Sequence, residues 1–392
     1  DPHAWSYPGN SQPFTHKKHI YSDKNFYFVT TNKGSGKQTI AESAAGNANA
    51  TATTFNDYAF HELDEMNFLE SGRIWFGDKM SSTKTSIDLS FNFPNIATMA
   101  PVNIVSTAVA KTPQTTANGA TQIVCTYGGS NILIHSIKGS GSTLYGTVAT
   151  YQIQNATLNP TSDNLKLTYN YNCIDNTGEA YLDYVEINCQ RNLIFTGGSM
   201  NFRNTATVGA ASVTEFQISN AANTQVWDVT NPFEAKSQLA NNGTFTVATP
   251  ILKEFVVFDP AASHAEPEYT EKVANQNLHA CGQPDMVIVT HPSFLSAAKR
   301  LADFHQTNNG ISVLVTTPQL IYNEFSNGKQ DATAIRNFLK MLYDRAAGDT
   351  TLIPRYLLLF GDGSFDMMKH TSASTNFIPT YQSYESLNEI GT

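Results

Sequence analysis

The sequence predicts a multidomain chain in which an all-β sandwich region is followed by the first half of a doubly wound α/β domain. Three observations predict this. The chain has 392 residues, more than one ordinary domain accommodates. From Thr85 to Phe258, short runs of alternating apolar and polar residues recur with turn clusters between them, the pattern of a β-sandwich. After Asp285 the alternation gives way to continuous apolar runs separated by helical periods, the pattern of parallel strands covered on both faces.

Composition narrows the function classes. The 24 basic and 33 acidic residues leave a net charge of −9, and no Lys/Arg block interrupts it, so no electrostatic footprint for nucleic acid exists. Only 15% of residues are charged. Much of the remainder is Ser, Thr, Asn and Gln, which suit strands and turns better than exposed helices. Aromatics at 11% supply material for sizeable cores. The longest apolar runs, such as Tyr356 to Phe360, are far too short for a transmembrane helix. With no initiator Met and no signal-peptide pattern at the start, any export signal is expected to be already removed or outside this sequence. Cys125, Cys173, Cys189 and Cys281 have neither C-x-x-C spacing nor a His at zinc-ligand spacing, so buried thiols or structural disulfides are expected.

Residues 1–84 read as a mixed segment packing on the β region. Asn25 to Thr30 reads as a short strand, and Lys33 to Thr54, rich in small polar residues, as a surface loop. His61 to Met80 interleaves charge with the anchors Trp75 and Phe76 and reads as a packed irregular segment rather than a binding loop. The sandwich is expected over 85–258. Ile87, Leu89, Phe91 and Phe93 share one face of its first strand, which ends at Pro94. The period returns at Ile132/Ile134, at Leu165/Leu167/Tyr169/Tyr171/Cys173 and at Val185/Ile187/Cys189. Weaker strands follow at Glu215 to Ile218, Gln225 to Val229, Thr244 to Val247 and Glu254 to Phe258. Turn clusters such as Gly128 to Asn131 and Gly139 to Gly141 separate strands, and residues 259–284 read as a linker.

The α/β portion, 285–392, begins with the buried strand Met286 to Thr290. Ser293 is the expected N-cap of a helix presenting Phe294, Ala297, Ala298, Leu301 and Phe304 and stopping at Asn308-Asn309-Gly310. Ile311 to Thr316 is a second buried strand, and Thr317-Pro318 opens a short helix ending at Asn327-Gly328. Asp331 caps the next helix, with Ile335, Phe338, Leu339, Leu342 and Ala346 inward and Gly348 as its stop. Tyr356 to Phe360 is the third buried strand. An α/β half-domain leaves a sheet edge open, so aggregation or a partner strand is expected.

Ligands gather beyond the carboxyl ends of such strands. Three turns qualify: Thr290-His291, Thr316-Thr317, and Gly361-Asp362-Gly363-Ser364-Phe365-Asp366. The last places two carboxylates, Asp362 and Asp366, on a glycine-rich turn, so Gly361, Asp362, Gly363 and Asp366 are the site-adjacent candidates. It is neither a nucleophile elbow nor a dinucleotide fingerprint. A structural cation, or a polar support for an active site, competes there with a tight turn in which Asp caps its own backbone. A Cys281/His291 dyad is conceivable, but His291 stands before Pro292 and reads more simply as a turn residue.

Three segments carry a resemblance. They are Asp64 to Gly77, Val226 to Pro232, and a discontinuous set running from Asn275 to His279 and Asp285 to His291, through Tyr322 to Gly328 and Asp331 to Phe338, to Tyr356 to Asp366 and Ile378 to Thr380. Together they resemble the amino-terminal part of the type IX secretion sortases of Bacteroidota, within the gingipain family of cysteine peptidases. The resemblance implies a caspase/gingipain-like α/β domain and a Cys thiolate, activated by a His, that attacks a peptide carbonyl. It implies cargo proteins bearing a carboxyl-terminal secretion signal as substrates and outer-membrane partners such as a PorV-like barrel. It also implies location at the cell surface, with transfer of cargo to lipopolysaccharide. The family's Gly-His-Gly motif and catalytic Cys lie on later strands and match nothing here, so no catalytic residue, metal ligand or cofactor is assigned and the chain alone is expected to be inactive. The alternative is a non-catalytic surface β-sandwich that binds glycan or protein. A third reading, a metal-dependent hydrolase built on Asp362 and Asp366, requires bound metal.

Overall fold

The computed structural model describes residues 3–9, 12–31, 33–112, 121–140, 146–173, 177–370, 376–384 and 386–387. Gly141 of the expected turn and the last five residues of the polar tail lie outside the described residues.

The chain is mostly β. It opens with a hairpin, β1 (His3–Ser6) and β2 (Thr15–Lys18). The strands β3 (Ile40–Glu42), β4 (Ala50–Ala52), β5 (Thr54–Glu62) and β6 (Gly77–Met80) follow. Next come β7 (Ser86–Asn92), β8 (Val102–Lys111), β9 (Thr121–Tyr127), β10 (Ser130–Ile137), β11 (Thr150–Leu158), β12 (Asn164–Asn172) and β13 (Glu179–Asn192). The β portion closes with β14 (Ser199–Phe202), β15 (Val213–Gln217), β16 (Gln225–Asp228), β17 (Lys236–Gln238), β18 (Thr244–Ala248) and β19 (Phe255–Phe258).

These strands enclose two cores where the sequence suggested one sandwich over 85–258. The sheets β10-β9-β12-β7 and β11-β8-β13-β5 face each other across a core that includes Ile87, Leu89, Phe91, Ile104, Leu165, Tyr169 and Ile187. The sheets β14-β19-β16-β17-β3 and β18-β15-β4 enclose a second, aromatic core of Phe202, Phe216, Phe245 and Phe255. Residues 33–54 are therefore more than a surface loop: β3 and β4 pair in parallel with β17 and β15. The stretch Asn25 to Thr30, expected as a strand, pairs with nothing among the described residues.

One face assignment differs. In β10 the inward side chains are Leu133, His135 and Ile137, while Ile134 is exposed. A bulge between Asn131 and Leu133 inserts one residue, and a shift of one position exchanges the two faces of a strand.

The carboxyl-terminal portion comprises β20 (Met286–Thr290), α1 (Leu295–Asn309), β21 (Val313–Thr316), α2 (Pro318–Phe325), α3 (Ala332–Arg345) and β22 (Tyr356–Phe360). The three strands are parallel in the order β21-β20-β22. Every residue of β20 is buried, as its continuous apolar run requires. Val287 and Val289 pack with α2 and α3, and Met286 and Ile288 pack with Ala298 and Ala302 of α1. Thr317-Pro318 opens α2 and Asp331 caps α3, accepting from Thr333 N at 2.7 Å. Gly310 closes α1 in the left-handed conformation at φ 64°.

Two expectations fail here. Ser293 is not the cap of α1: Pro292–Phe294 forms a 3-10 turn whose cap is His291, with Nδ1 accepting from Ser293 N, and Phe304 is exposed on the solvent side. β22 is not buried on both faces, because Leu357 and Leu359, each 44% exposed, face solvent beside Val287 and Val289.

Candidate functional site

The parallel order puts Thr290-His291, Thr316-Thr317 and Gly361 to Asp366 at one end of the sheet, as the sequence implied. His291 ends β20 and its ring lies 4.9 Å from that of Phe377, with Nδ1 engaged by the Ser293 amide. Thr290 Oγ1 donates to the carbonyl of Phe360 and so ties β20 to the end of β22.

Beyond Phe360 a later segment returns onto the turn. The Asp362 carbonyl accepts from Phe377 N at 2.9 Å and Ile378 N at 3.0 Å, folding 376–380 back along the turn. Gly363 permits this close approach: a Cβ there would stand 2.3 Å from Thr380 Cγ2 and 2.9 Å from the Ile378 carbonyl. Gly363→Ala is therefore expected to cost about 1–3 kcal/mol by overpacking, and Gly361→Ala, whose closest neighbours are side chains at 3.0–3.1 Å, less. Urea midpoints for the two variants check the ranking.

The two carboxylates have different surroundings. Asp362 is exposed and its Oδ1 accepts from Gly363 N at 2.9 Å. Asp366 is fully buried, with Oδ1 accepting from His370 N at 2.8 Å and its own amide donating to Ser364 Oγ. Both support the backbone of the turn. No group of three or more His, Cys, Asp or Glu side chains placed to hold a metal ion occurs among the described residues.

The geometry separates Cys281 from His291. Cys281 precedes β20 at the amino end of the sheet, packed toward Val287 and Phe338, and its carbonyl accepts from Arg345 at the end of α3. His291 lies beyond the other end of β20, about 15 Å away at the rise of a strand, so the strand holds the two apart. His279, also at the amino end, pairs with Glu324 at 2.6 Å and stacks on Phe325. Cys125 and Cys189 are buried in the first sandwich core, where burial pushes the Cys125 thiol up to about 12 and the Cys189 thiol higher still, so both remain protonated.

Sequence reasoning did not reveal a wall contributed by the β portion. Trp75, only 8% exposed, stacks on Phe365 with ring centroids 5.7 Å apart and leans on His370 at 4.9 Å. Around it, Gly72 N donates to Gln382 Oε1, Arg73 lies over the Tyr384 ring, and Ser386 Oγ donates to the Ile74 carbonyl. The Asn67 side chain shapes this loop by bonding Leu69, Ser71, Gly72 and Ile74. The segment read as packed irregular structure is thus a packing loop set against the candidate turn.

A β portion thus leans on a short parallel sheet whose strand-end turns gather at one end. Residues 279–390 match the model of peptidase family C25. The chain also resembles PorU: the structure of dimeric latent PorU from Porphyromonas gingivalis superposes over 99% of this chain with a TM-score of 0.81 at 25% identity. This chain spans 38% of the length of that protein. A family 35 carbohydrate-binding module from Clostridium thermocellum covers 34% of this chain, and 90% of that module is covered, at 12% identity; its TM-score of 0.21 carries no argument. Comparison with curated proteins gives no match.

Proposed function

We propose that this chain is the amino-terminal part of a cell-surface cysteine peptidase of the sortase type, which removes the carboxyl-terminal signal of type IX cargo and transfers the cargo to surface lipopolysaccharide. The observation that carries the reading is the family C25 match over 279–390, the stretch that folds as the parallel sheet and its strand-end turns. In this reading β20 to β22 are the front strands of a doubly wound, caspase-like domain. The helices packed on both faces of β20 support that, as do Leu357 and Leu359, whose exposed side chains would be covered by further structure.

The reacting Cys and His come from beyond this chain. The thiolate attacks the peptide carbonyl, the carboxyl-terminal signal departs with its new amine, and the thioester left behind is released by water or by an amine of lipopolysaccharide. Gly361, Asp362, Gly363 and Asp366 support the site from below without touching substrate, and the β sandwiches dock an outer-membrane partner such as a PorV-like barrel. No cofactor takes part, although a structural cation near Asp362 is compatible with the reading.

The test compares the complete protein with residues 1–392 on a cargo protein that carries its carboxyl-terminal signal. Cleavage by the complete protein that is blocked by thiol alkylation, with none by residues 1–392, is expected. Cleavage by residues 1–392 alone would contradict the proposal.

A further inference from the structure

Tyr27, Phe28 and Val29 are three consecutive apolar residues that are 75%, 51% and 92% exposed. Among the described residues no backbone hydrogen bond reaches 25–30, so no strand or helix accounts for them. The segment is nevertheless held at a fixed place on the surface. Just before it, Tyr21 is buried, its hydroxyl donates to the Thr380 carbonyl, and Gln330 Nε2 donates to the Tyr21 carbonyl. Lys329 Nζ donates to Asn25 Oδ1 at 3.4 Å. Phe26 and Phe28 rest on the Gly328 turn, with Phe26 Cβ 3.3 Å and Phe28 Cζ 3.4 Å from where a Cβ on Gly328 would stand. A contiguous apolar edge kept in the open by anchored neighbours marks an interaction site.

The charge around this edge is opposite to that of the chain as a whole. The net charge is −9, yet residues 17–37 hold five lysines and a single carboxylate, Asp23. Lys18 is paired with Asp64, and Lys37 approaches Glu234 at 4.0 Å. Lys24 and Lys33 are exposed at either end of the segment, and Lys329 lies against Asn25. None of these three forms an ion pair among the described residues, where the lysine pairs lie elsewhere. Such a set suits the boundary of a bilayer. Tyr settles at headgroup level, where water still bonds an open backbone, Phe and Val reach the acyl boundary, and lysines meet anionic headgroups. The acidic remainder of the chain is repelled by the same surface, so charge also sets the orientation. We propose that Tyr27, Phe28 and Val29, with Lys24, Lys33 and Lys329 around them, dock this chain on the anionic headgroup surface of a lipid bilayer. This goes beyond location at a cell surface by naming the face that meets lipid. Three side chains without an acyl anchor give weak, reversible binding.

Cosedimentation of residues 1–392 with phosphatidylcholine vesicles, with and without phosphatidylglycerol, tests the proposal. Binding to the phosphatidylglycerol vesicles that weakens as salt rises is expected. Tyr27→Ser combined with Val29→Ser removes only exposed apolar groups. It is expected to lower the partition coefficient about tenfold or more while leaving the thermal transition unchanged. Lys24→Gln and Lys33→Gln each lower it about fivefold on phosphatidylglycerol vesicles and leave the weaker affinity for phosphatidylcholine alone unchanged. Phe304→Ser, at an exposed phenylalanine of α1, has no effect. Absence of binding to phosphatidylglycerol vesicles at low salt overturns the proposal and leaves this edge to a protein partner. Binding that survives the Tyr27→Ser and Val29→Ser pair, or that falls equally in Phe304→Ser, overturns it too, because lipid contact then lies elsewhere. Neither outcome depends on peptidase activity, so this proposal and the proposed function fail independently.

Discussion

His16→Ala is expected to destabilise the amino-terminal hairpin by about 3–5 kcal/mol, the cost of breaking a buried ion pair and leaving its partners uncompensated. His16 Nδ1 lies 2.5 Å from Glu186 Oε1 and Nε2 lies 2.6 Å from Glu62 Oε2, with the imidazole side chain only 4% exposed. Removing the ring leaves two carboxylates facing each other across a dry space. The hairpin depends on this contact: His16 N also donates to Glu186, and Phe14 exchanges two hydrogen bonds with the Asn188 side chain. Burial alone would lower the His16 pKa, but the hydrogen bonds to Glu186 and Glu62 outweigh it and hold the ring at about 9. A raised folded pKa means stability that is complete below the ordinary value of 6.5 and lost as pH rises through about 9. Asp183, on the same strand, acts in the same direction. Burial raises its carboxyl from 3.8 to about 7 against the hydrogen bond from Tyr151, so between those values the folded group holds a proton that the unfolded group has lost, and stability falls as pH rises through that window. Chemical denaturation of the wild type from pH 6 to 10 should therefore show falling stability, with the slope above pH 7 absent in His16→Ala. A variant as stable as wild type, or stability rising across that range, would contradict this account.

Trp75→Ala is the second large effect. The indole is buried between Phe365 and His370, and truncating a buried Trp costs about 3–5 kcal/mol. The loss falls on the contact between the β portion and the strand-end turn. Amide exchange at 361–370 should accelerate by several orders of magnitude, while amides of β8, β12 and β13 in the first sandwich keep their protection. Trp75→Phe should recover part of the effect by keeping an aromatic stack. Equal loosening in both regions would show that Trp75 serves the sandwich and not the turn.

Some of this architecture was legible in the sequence because its causes are local. β20 announces itself as Met286 to Thr290 with no polar interruption, and the Pro318 start of α2, the Asp331 cap of α3 and the Gly310 stop of α1 are carried by single residues. Where the cause is distant, the sequence misled. Glu186 and Asn188 sit at polar positions of β13, yet they are buried because residues 14–16, about 170 positions earlier, supply their partners. β5 hides its strand character because Asn56, Asp57 and His61 break the alternation, while Asn56 and Asp57 bond Thr205 and Arg191. The packing role of Trp75 depends on rings some 290 residues later, and no local period reports that. The candidate turn was recognisable by its glycines and strand-end position. The burial of Asp366 and the exposure of Asp362 were not, since both depend on how 376–380 returns along the turn.

The proposed function assigns this chain the scaffold of a cysteine peptidase and none of its reacting groups. The most direct test is to label the active complete protein with a thiol-directed peptidyl inhibitor and to locate the adduct by peptide mapping. The account predicts that Cys125, Cys173, Cys189 and Cys281 remain unmodified while activity is lost. A stoichiometric adduct on Cys281, with loss of activity in Cys281→Ala, would contradict it.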